Sequence, residues 1–301
     1  MLDYHLHLWP HGERAVGPTL EHVAAYCERA TAAGVREVAL TEHLFRFRDA
    51  DRVLRGFWDD DGDPVLAASM ERYWDEHTDA ELDRYVEVAL AARAAGLPVV
   101  LGLEVDYYAG RMDQVAELLS GYPFDVLLGS VHWIGIWRFD DLDDEASMAQ
   151  WSTRAVDAAW EGYTRAIEEL AASGVCDVLA HPDLVKVAGH RPDAPGEWWD
   201  RLAEAAASSG MAAEVSSAGW RKPVGAAYPD PGLLERFARR HVPFTTASDA
   251  HRLGDVAWRV DELAGMLREQ GVTELRAYRR RVPHAVPLGA EPVDSAAVAG
   301  R

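Results

Sequence analysis

Seven short apolar runs separated by amphipathic segments are the feature that most limits the fold of this chain. The runs lie at residues 1–7, 37–43, 97–106, 124–132, 176–183, 211–217 and 242–251. Several are continuously apolar, as strands buried on both faces are. Helices are predicted between the runs, at residues 19–34, 79–96, 153–174 and 231–241. Because alternating strands and helices form parallel sheets with right-handed crossovers, we predict one closed α/β barrel.

The barrel is predicted to be a single domain over residues 1–282. Residues 44–78 interrupt the alternation with a long insertion that mixes aromatic and acidic side chains. A long excursion of this kind is either a lid or binding loop, or a surface flap with no catalytic part. Residues 283–301 are predicted to be a poorly ordered tail.

Composition excludes several classes of function. The net charge of −20 repels phosphate backbones, so we expect no nucleic-acid partner. No apolar stretch approaches the ~20 residues of a membrane span, and the N-terminus has no signal-peptide pattern, so we expect no membrane partner. Two cysteines among 301 residues are too few for a disulfide framework, which favours a cytoplasmic location. The sequence leaves the oligomeric state open.

Histidines and carboxylates recur at one end of successive apolar runs. In a parallel barrel these ends open onto one face, and strand side chains two residues apart point the same way. Neutral imidazoles and carboxylates together can hold more than one divalent ion. We therefore predict a metal site there, and we interpret His22, His77, His241 and His284 as ordinary polar residues. The side chains at the strand ends are His5, His7, Glu42, His43, Glu104, Asp106, His132, His181, Asp183, Glu214, Asp249 and His251.

Six of these motifs, taken in order and spacing, resemble the polymerase-and-histidinol-phosphatase (PHP) family of metal hydrolases. They are "DYHLH", "LTEH", "GLEVD", "GSVHW", "AHPDLVK" and "SDAH". The stretch at 214–235, with "WRKP" followed by Tyr-Pro, is similar to the histidinol-phosphatase branch. The resemblance covers roughly residues 1–255. It implies a distorted seven-stranded TIM-like (β/α)7 barrel and a phosphomonoesterase, with L-histidinol phosphate as the expected substrate.

The resemblance also implies two to three divalent metal ions, which could be Zn, Fe or Mn. One set of ligands would be His5, His7, Glu104 and Asp249. A second set would be Glu104, His132 and His181, with Glu104 as the bridge. Glu104 and Asp249 are thus also predicted to be catalytic, through a metal-bridging hydroxide that attacks phosphorus. The third set would be His11, His43 and His251.

His11 departs from the family pattern. It follows His7 by only four residues, whereas the corresponding family histidine lies about six residues on. Pro10 restricts the preceding turn, so the loop could still deliver the ring. Either His11 ligates the third metal, or Glu13 or water replaces it, or the third site is empty.

Side chains just past the strand ends are candidates for substrate binding. Four of them are basic and could hold phosphate oxygens, and a tyrosine could shape the organic half of the substrate. Each could instead be an ordinary surface or core residue. The leaving oxygen could take its proton from a metal-bound water, His190 or Asp183. The candidates for substrate binding are Lys186, Arg221, Lys222, Tyr228 and Arg252.

Three alternatives stay open at this stage. A PHP-family phosphatase could act on another small phosphate ester. An amidohydrolase-type enzyme also begins with His-x-His, but its usual bridge is a carbamylated lysine, and neither lysine of this chain ends strand three or four. An accessory metal barrel of the kind attached to polymerases is disfavoured by the acidic charge.

Overall fold

The computed structural model describes residues 1–13, 15, 17–59 and 62–289. Its centre is one sheet of seven parallel strands, and their spatial order follows the chain. Backbone hydrogen bonds from Tyr4 N to Thr246 O (2.9 Å) and from Asp249 N to His5 O (2.8 Å) join the first strand to the seventh. This nearly closed barrel confirms the predicted (β/α)7 architecture. The strands are β1 Leu2–Asp3, β2 Glu37–Leu40, β3 Val99–Asp106, β4 Val126–Ser130, β5 Val178–Leu179, β6 Ala212–Ser216 and β7 Phe244–Ala247.

Helices pack around the barrel and bury its outer face. The four helices predicted from sequence are present, and the helices at Val156–Ser173 and Gly196–Ser209 end at Gly174 and Gly210, each in the left-handed conformation that favours glycine there. All eight residues of β3 are buried, as its continuous apolar pattern indicates. The helices are α1 Leu20–Ala32, α2 Arg48–Leu54, α3 Pro64–His77, α4 Leu82–Ala94, α5 Met112–Leu119, α6 Glu145–Gln150, α7 Val156–Ser173, α8 Gly196–Ser209, α9 Pro231–Arg239 and α10 Val260–Glu269.

The chain from residue 283 is not a poorly ordered tail over the part that the structure describes. Strand β8 (Glu274–Arg279) pairs antiparallel with β9 (Val282–Pro287). Arg281 binds Asp177, just before β5, and the Arg280 N–H donates to Asp125, just before β4. These bonds hold the hairpin at the end of the barrel where the strands begin. The predicted tail beyond residue 289 lies outside the described residues.

Among the described residues, no helix is both long and apolar enough to span a membrane. The inserted segment 44–78 folds as one turn of 3₁₀ helix at Leu44–Arg46, followed by α2 and α3. Asp63 caps α3 by accepting from the backbone N–H groups of Val65 and Leu66. The insertion therefore adds two helices beside the carboxyl ends of the strands. The β8–β9 hairpin lies at the other end of the barrel.

Candidate active site

The predicted metal ligands converge at the carboxyl ends of the strands. His5 and His7 follow β1, Glu104 lies near the end of β3, and Asp249 follows β7. His5 Nε2 lies 3.2 Å from Glu104 Oε2 and 4.0 Å from Asp249 Oδ1. His7 Nε2 lies 3.5 Å from each of the same two oxygens. Four ligand atoms thus surround one small volume, as the first predicted set requires.

Glu104 also faces the second predicted set. Its Oε1 atom lies 2.9 Å from His181 Nε2 and 3.4 Å from His132 Nε2. Its Oε2 atom faces His5 and His7 instead, and it also lies 2.8 Å from His43 Nδ1. The two oxygens of one buried carboxylate therefore point at two histidine groups, which is the geometry that a bridging ligand needs.

The third predicted set is brought together only in part. The ligand atoms of His7, His43 and His251 lie within 4.8 Å of one another. His11 joins no such group among the described residues, although its ring centroid lies 4.3 Å from that of His251 and 5.2 Å from that of His43. Burial lowers the pKa of His43 and His251 well below the usual range, which leaves their nitrogen lone pairs available to a metal.

The donor atoms at this centre fit metal ions. Buried polar side-chain atoms normally have hydrogen-bond partners, because an unsatisfied group costs roughly 1–3 kcal/mol. Here several buried atoms that point into the cluster have none among the described residues. A divalent cation would satisfy imidazole nitrogens and carboxylate oxygens together. These unpartnered atoms are His5 Nε2, His7 Nδ1 and Nε2, His43 Nδ1 and Nε2, Glu104 Oε2 and His251 Nε2.

A second layer of carboxylates orients the histidines. Glu214 on β6 accepts from His5 Nδ1 at 2.8 Å, and Asp106 at the end of β3 accepts from His132 Nδ1 at 2.5 Å. Each bond places the proton on Nδ1 and leaves Nε2 facing Glu104. Sequence reasoning placed Glu214 at a strand end and gave it no role. Such partners fix the tautomer and the orientation of a metal-ligating histidine.

The charges of the cluster shift its pKa values. Burial lowers the pKa of His5, but the carboxylates of Glu214 and Glu104 outweigh it and hold that pKa well above the usual range. Burial also opposes protonation of His132, and Asp106 and Glu104 again prevail, raising its pKa to about 10. A cation entering the site would therefore compete with protons for these nitrogens.

A buried arginine holds the loop that carries His11. The Arg46 guanidinium donates to the backbone carbonyls of Pro10 (2.9 Å) and Trp9 (3.3 Å). It also lies 3.6 Å from Glu42 Oε2, and Glu42 Oε1 accepts from the Trp9 N–H at 3.2 Å. This ion pair fixes the short turn after His7 and so sets where His11 can lie.

The basic residues predicted to bind phosphate are placed differently from one another. Lys222 is exposed and lines the cavity above the cluster. Arg221 Nη2 donates to the carbonyls of Ser248 (2.8 Å) and Asp249 (3.0 Å), whereas its buried Nη1 has no partner among the described residues. Arg252 is exposed. Lys222 and Arg221 are thus the two best placed of this group.

Lys186 and Asp183 form a buried pair with each other. Lys186 Nζ lies 2.7 Å from Asp183 Oδ2 and donates to Ala227 O at 2.9 Å. Asp183 Oδ2 also accepts from the Asp230 N–H at 2.8 Å. Neither side chain lines the cavity. Their bonds tie the 3₁₀ turn after β5 to the segment before α9. Both side chains therefore help to position these two segments.

The other two predicted residues, His190 and Tyr228, have different surroundings from each other. The His190 ring stacks on Trp151 with centroids 4.4 Å apart, away from the cavity lining. Tyr228 is buried, its ring lies edge-on to His181 at 6.3 Å, and its hydroxyl has no hydrogen-bond partner among the described residues. Tyr228 is therefore beside the cluster and His190 is not.

Comparison with known proteins identifies the family to which the strand-end motifs point. The sequence profile of the PHP domain matches residues 5–218, which is most of the chain. The chain belongs to the PHP domain family. A protein of Deinococcus radiodurans named "Probable histidinol-phosphatase" is 31% identical over 277 residues, covering 90% of this chain and 94% of that protein. This relationship confirms the family that the motifs indicated.

Two crystal structures share the fold of this PHP domain. The hisK protein of Listeria monocytogenes has a TM-score of 0.67 and 18% identity, over 87% of this chain and 99% of that one. The histidinol phosphate phosphatase of Lactococcus lactis subsp. lactis Il1403 has a TM-score of 0.65 and 18% identity, over 94% and 98%. That structure is a complex with Zn, L-histidinol and phosphate.

A cavity of about 500 Å³ opens beside His43 and His132 in this PHP domain. Helix α3 of the insertion supplies one wall, and residues 138–144 after β4 supply the other. The walls are joined, since Arg138 Nη2 donates to Ser69 Oγ at 2.6 Å and its guanidinium lies 4.3 Å above the Tyr73 ring. The insertion is thus part of the cavity.

Sequence reasoning missed two residues of this cavity. His77, interpreted from the sequence as an ordinary polar residue, lies on the wall formed by α3, and Asp140 lies on the facing wall. Neither is at a strand end, so the pattern that found the proposed metal ligands could not find them. The signal for His77 was the density of aromatic and acidic residues in the insertion, and the signal for Asp140 was the acidic run at 140–145.

Proposed function

We propose that this protein is a metal-dependent phosphomonoesterase that hydrolyses L-histidinol phosphate to L-histidinol and phosphate. The observation that carries the proposal is the division of the two Glu104 oxygens between two histidine groups. Paired metal sites sharing a carboxylate suit phosphate esters, because two cations can neutralise the phosphoryl charge from both sides. The names of the Deinococcus and Lactococcus proteins support the substrate.

The residues that would hold the metal ions follow from the contacts. His5, His7 and Asp249 would share one ion with Glu104, and His132 and His181 would share the second with it. His43 and His251 would hold a third, with His11 as a further ligand. When bound, two to three ions of Zn, Fe or Mn would supply a bridging hydroxide nucleophile at neutral pH and offset the charge of the phosphoryl group.

The side chains around the cluster would position the ester. Lys222 lines the cavity as an exposed ammonium group and would contact a phosphate oxygen. Arg221 would act through Asp249, whose carbonyl it holds, and its unpartnered Nη1 would be available to the phosphate. Asp183 and His190 do not line the cavity, so water is the proton donor that the geometry favours for the leaving oxygen.

Phosphate release from a panel of phosphomonoesters tests the proposal. We expect L-histidinol phosphate to be hydrolysed with the highest kcat/KM, chelation to abolish the reaction, and added Mn, Zn or Fe to restore it. Preference for another ester would support the phosphatase activity and contradict L-histidinol phosphate as the substrate. Full activity in protein shown by elemental analysis to be metal-free would contradict the metal-dependent mechanism. An amidohydrolase is disfavoured because the residue between the two histidine groups is Glu104 and not a lysine.

A further inference from the structure

The wall of the cavity formed by α3 carries a histidine with one uncommitted nitrogen. His77 is 5% exposed, and its Nδ1 lies 2.7 Å from the backbone carbonyl of Tyr73. A carbonyl can only accept, so Nδ1 carries the proton in this bond. Burial lowers the pKa of His77, which favours the neutral ring. Its Nε2 is then an acceptor, and it has no hydrogen-bond partner among the described residues.

The facing wall carries an uncommitted carboxylate. Asp140 lines the same cavity, and within the described part of the chain its side chain has no hydrogen bond or ion pair. Two of its acidic neighbours are already engaged. Asp141 pairs with Arg138, and Asp144 lies 3.4 Å from the same guanidinium and caps α6 by accepting from the Ser147 N–H. Asp143 also lines the cavity but is exposed, so Asp140 is the half-buried carboxylate of this loop that is left to meet a ligand.

We propose that His77 and Asp140 form the binding site for the organic half of the ester, and that this site selects leaving groups that carry N–H donors and a positive charge. The inference rests on the proposed phosphatase function. The metal cluster lies at one part of the cavity and would take the phosphate. An acceptor nitrogen and a free carboxylate elsewhere on its walls are complementary to an ammonium group and to an imidazole N–H.

The preference for N–H donors has a physical basis on both walls. An alkyl group facing Asp140 would leave a partly buried carboxylate without a partner, and a hydroxyl would donate one hydrogen bond but supply no positive charge, so neutral leaving groups are disfavoured. The Tyr73 ring contacts both Arg138 and His77, with its centroid 4.1 Å from that of His77, so α3 presents the imidazole from a packed surface. The site is thus held rigid before the ligand enters.

Steady-state kinetics of Asp140→Asn and His77→Phe test the proposal with matched substrates. 2-Aminoethyl phosphate and propyl phosphate have similar size and differ by one ammonium group, and L-histidinol phosphate is measured beside them. We expect Asp140→Asn to lower kcat/KM about tenfold or more for the two amine-bearing esters, mainly through KM. For propyl phosphate we expect a change within about twofold. His77→Phe should affect L-histidinol phosphate most.

Controls separate this site from the metal centre and from the choice of substrate. Asp113→Asn on α5 and His284→Phe on β9 change exposed residues away from the cavity and should leave all rates unchanged. Bound metal should be the same in every variant. Equal losses for amine-bearing and neutral esters, or no loss in either variant, would overturn the inference. If the wild-type protein ignores L-histidinol phosphate, the proposed substrate fails, while the comparison of the two matched esters still decides the role of Asp140.

Discussion

His5 Nδ1 lies 2.8 Å from Glu214 Oε2, and both side chains are fully buried. Glu214 also accepts from the His181 backbone N–H at 3.2 Å, so one carboxylate on β6 supports two predicted metal ligands. The bond directs His5 Nε2 toward Glu104 and Asp249. Glu214 therefore holds two proposed metal ligands in place, although it is not itself a proposed ligand.

We predict that Glu214→Gln weakens metal binding roughly 10–100-fold, because the amide removes the charge that favours the His5 tautomer. Competition with a chromophoric chelator measures the affinity. Glu204→Gln, an exposed change on α8, is the matched control. Unchanged affinity in Glu214→Gln would show that His5 needs no such support.

The convergence of the proposed metal ligands could be predicted from sequence, and the position of the cavity wall could not. Strands of a parallel barrel end on one face whatever their order. A residue at a strand end, such as His132 or Asp249, is therefore expected to lie near the other strand-end residues. No such rule applies to His77, because its helix belongs to an insertion whose packing depends on Arg138 and Ser69. The hairpin at 274–287 was missed because its second strand contains prolines and is largely exposed.

Nearness along the chain also misled the prediction for Lys186. It follows a strand end by a few residues, as Lys222 does, but the 3₁₀ turn at 184–186 directs it to Asp183. A one-turn helix rotates each successive side chain by about a third of a circle. Sequence alone does not give that rotation, so it could not separate a cavity lysine from a buried ion pair.

We predict that metal uptake releases protons. In the metal-free protein the pKa of His132 is raised from 6.5 to about 10, so at pH 7.5 the ring is protonated and must lose that proton to bind a cation. Metal affinity should therefore rise with pH up to about 10 and then level off. Titration calorimetry in two buffers of different ionisation enthalpy measures the release. Equal heats in both buffers would contradict the protonated state of His132.

We predict that Arg221→Ala lowers kcat/KM by roughly tenfold or more, since charge-assisted hydrogen bonds contribute about 1.5–3 kcal/mol. Asp249 has a positive φ of 49°, and the Arg221 guanidinium holds its carbonyl. Loss of that contact should release the Asp249 carboxylate as well as one phosphate contact. Arg84→Ala on α4 is the exposed control. Equal kinetics in both variants would make Arg221 a surface charge.

We predict that His11→Ala lowers bound metal by about one equivalent per chain, because the third site would lose one of three protein ligands. Phosphatase activity should fall without vanishing, since the sites that share Glu104 would survive. His132→Ala should cause the larger loss. If His11→Ala keeps the full metal content and rate, then His7, His43 and His251 suffice for the third site or that site is empty.

The most direct test of the account is the metal content and phosphate release of Glu104→Gln. The amide keeps the shape of the side chain and removes the charge that the two sites would share. We predict the loss of at least about one metal equivalent per chain and a fall in L-histidinol phosphate hydrolysis of about a hundredfold or more, which exceeds the effect of an orienting residue. Full metal content together with an unchanged rate would contradict the central claim that Glu104 joins two catalytic metal sites.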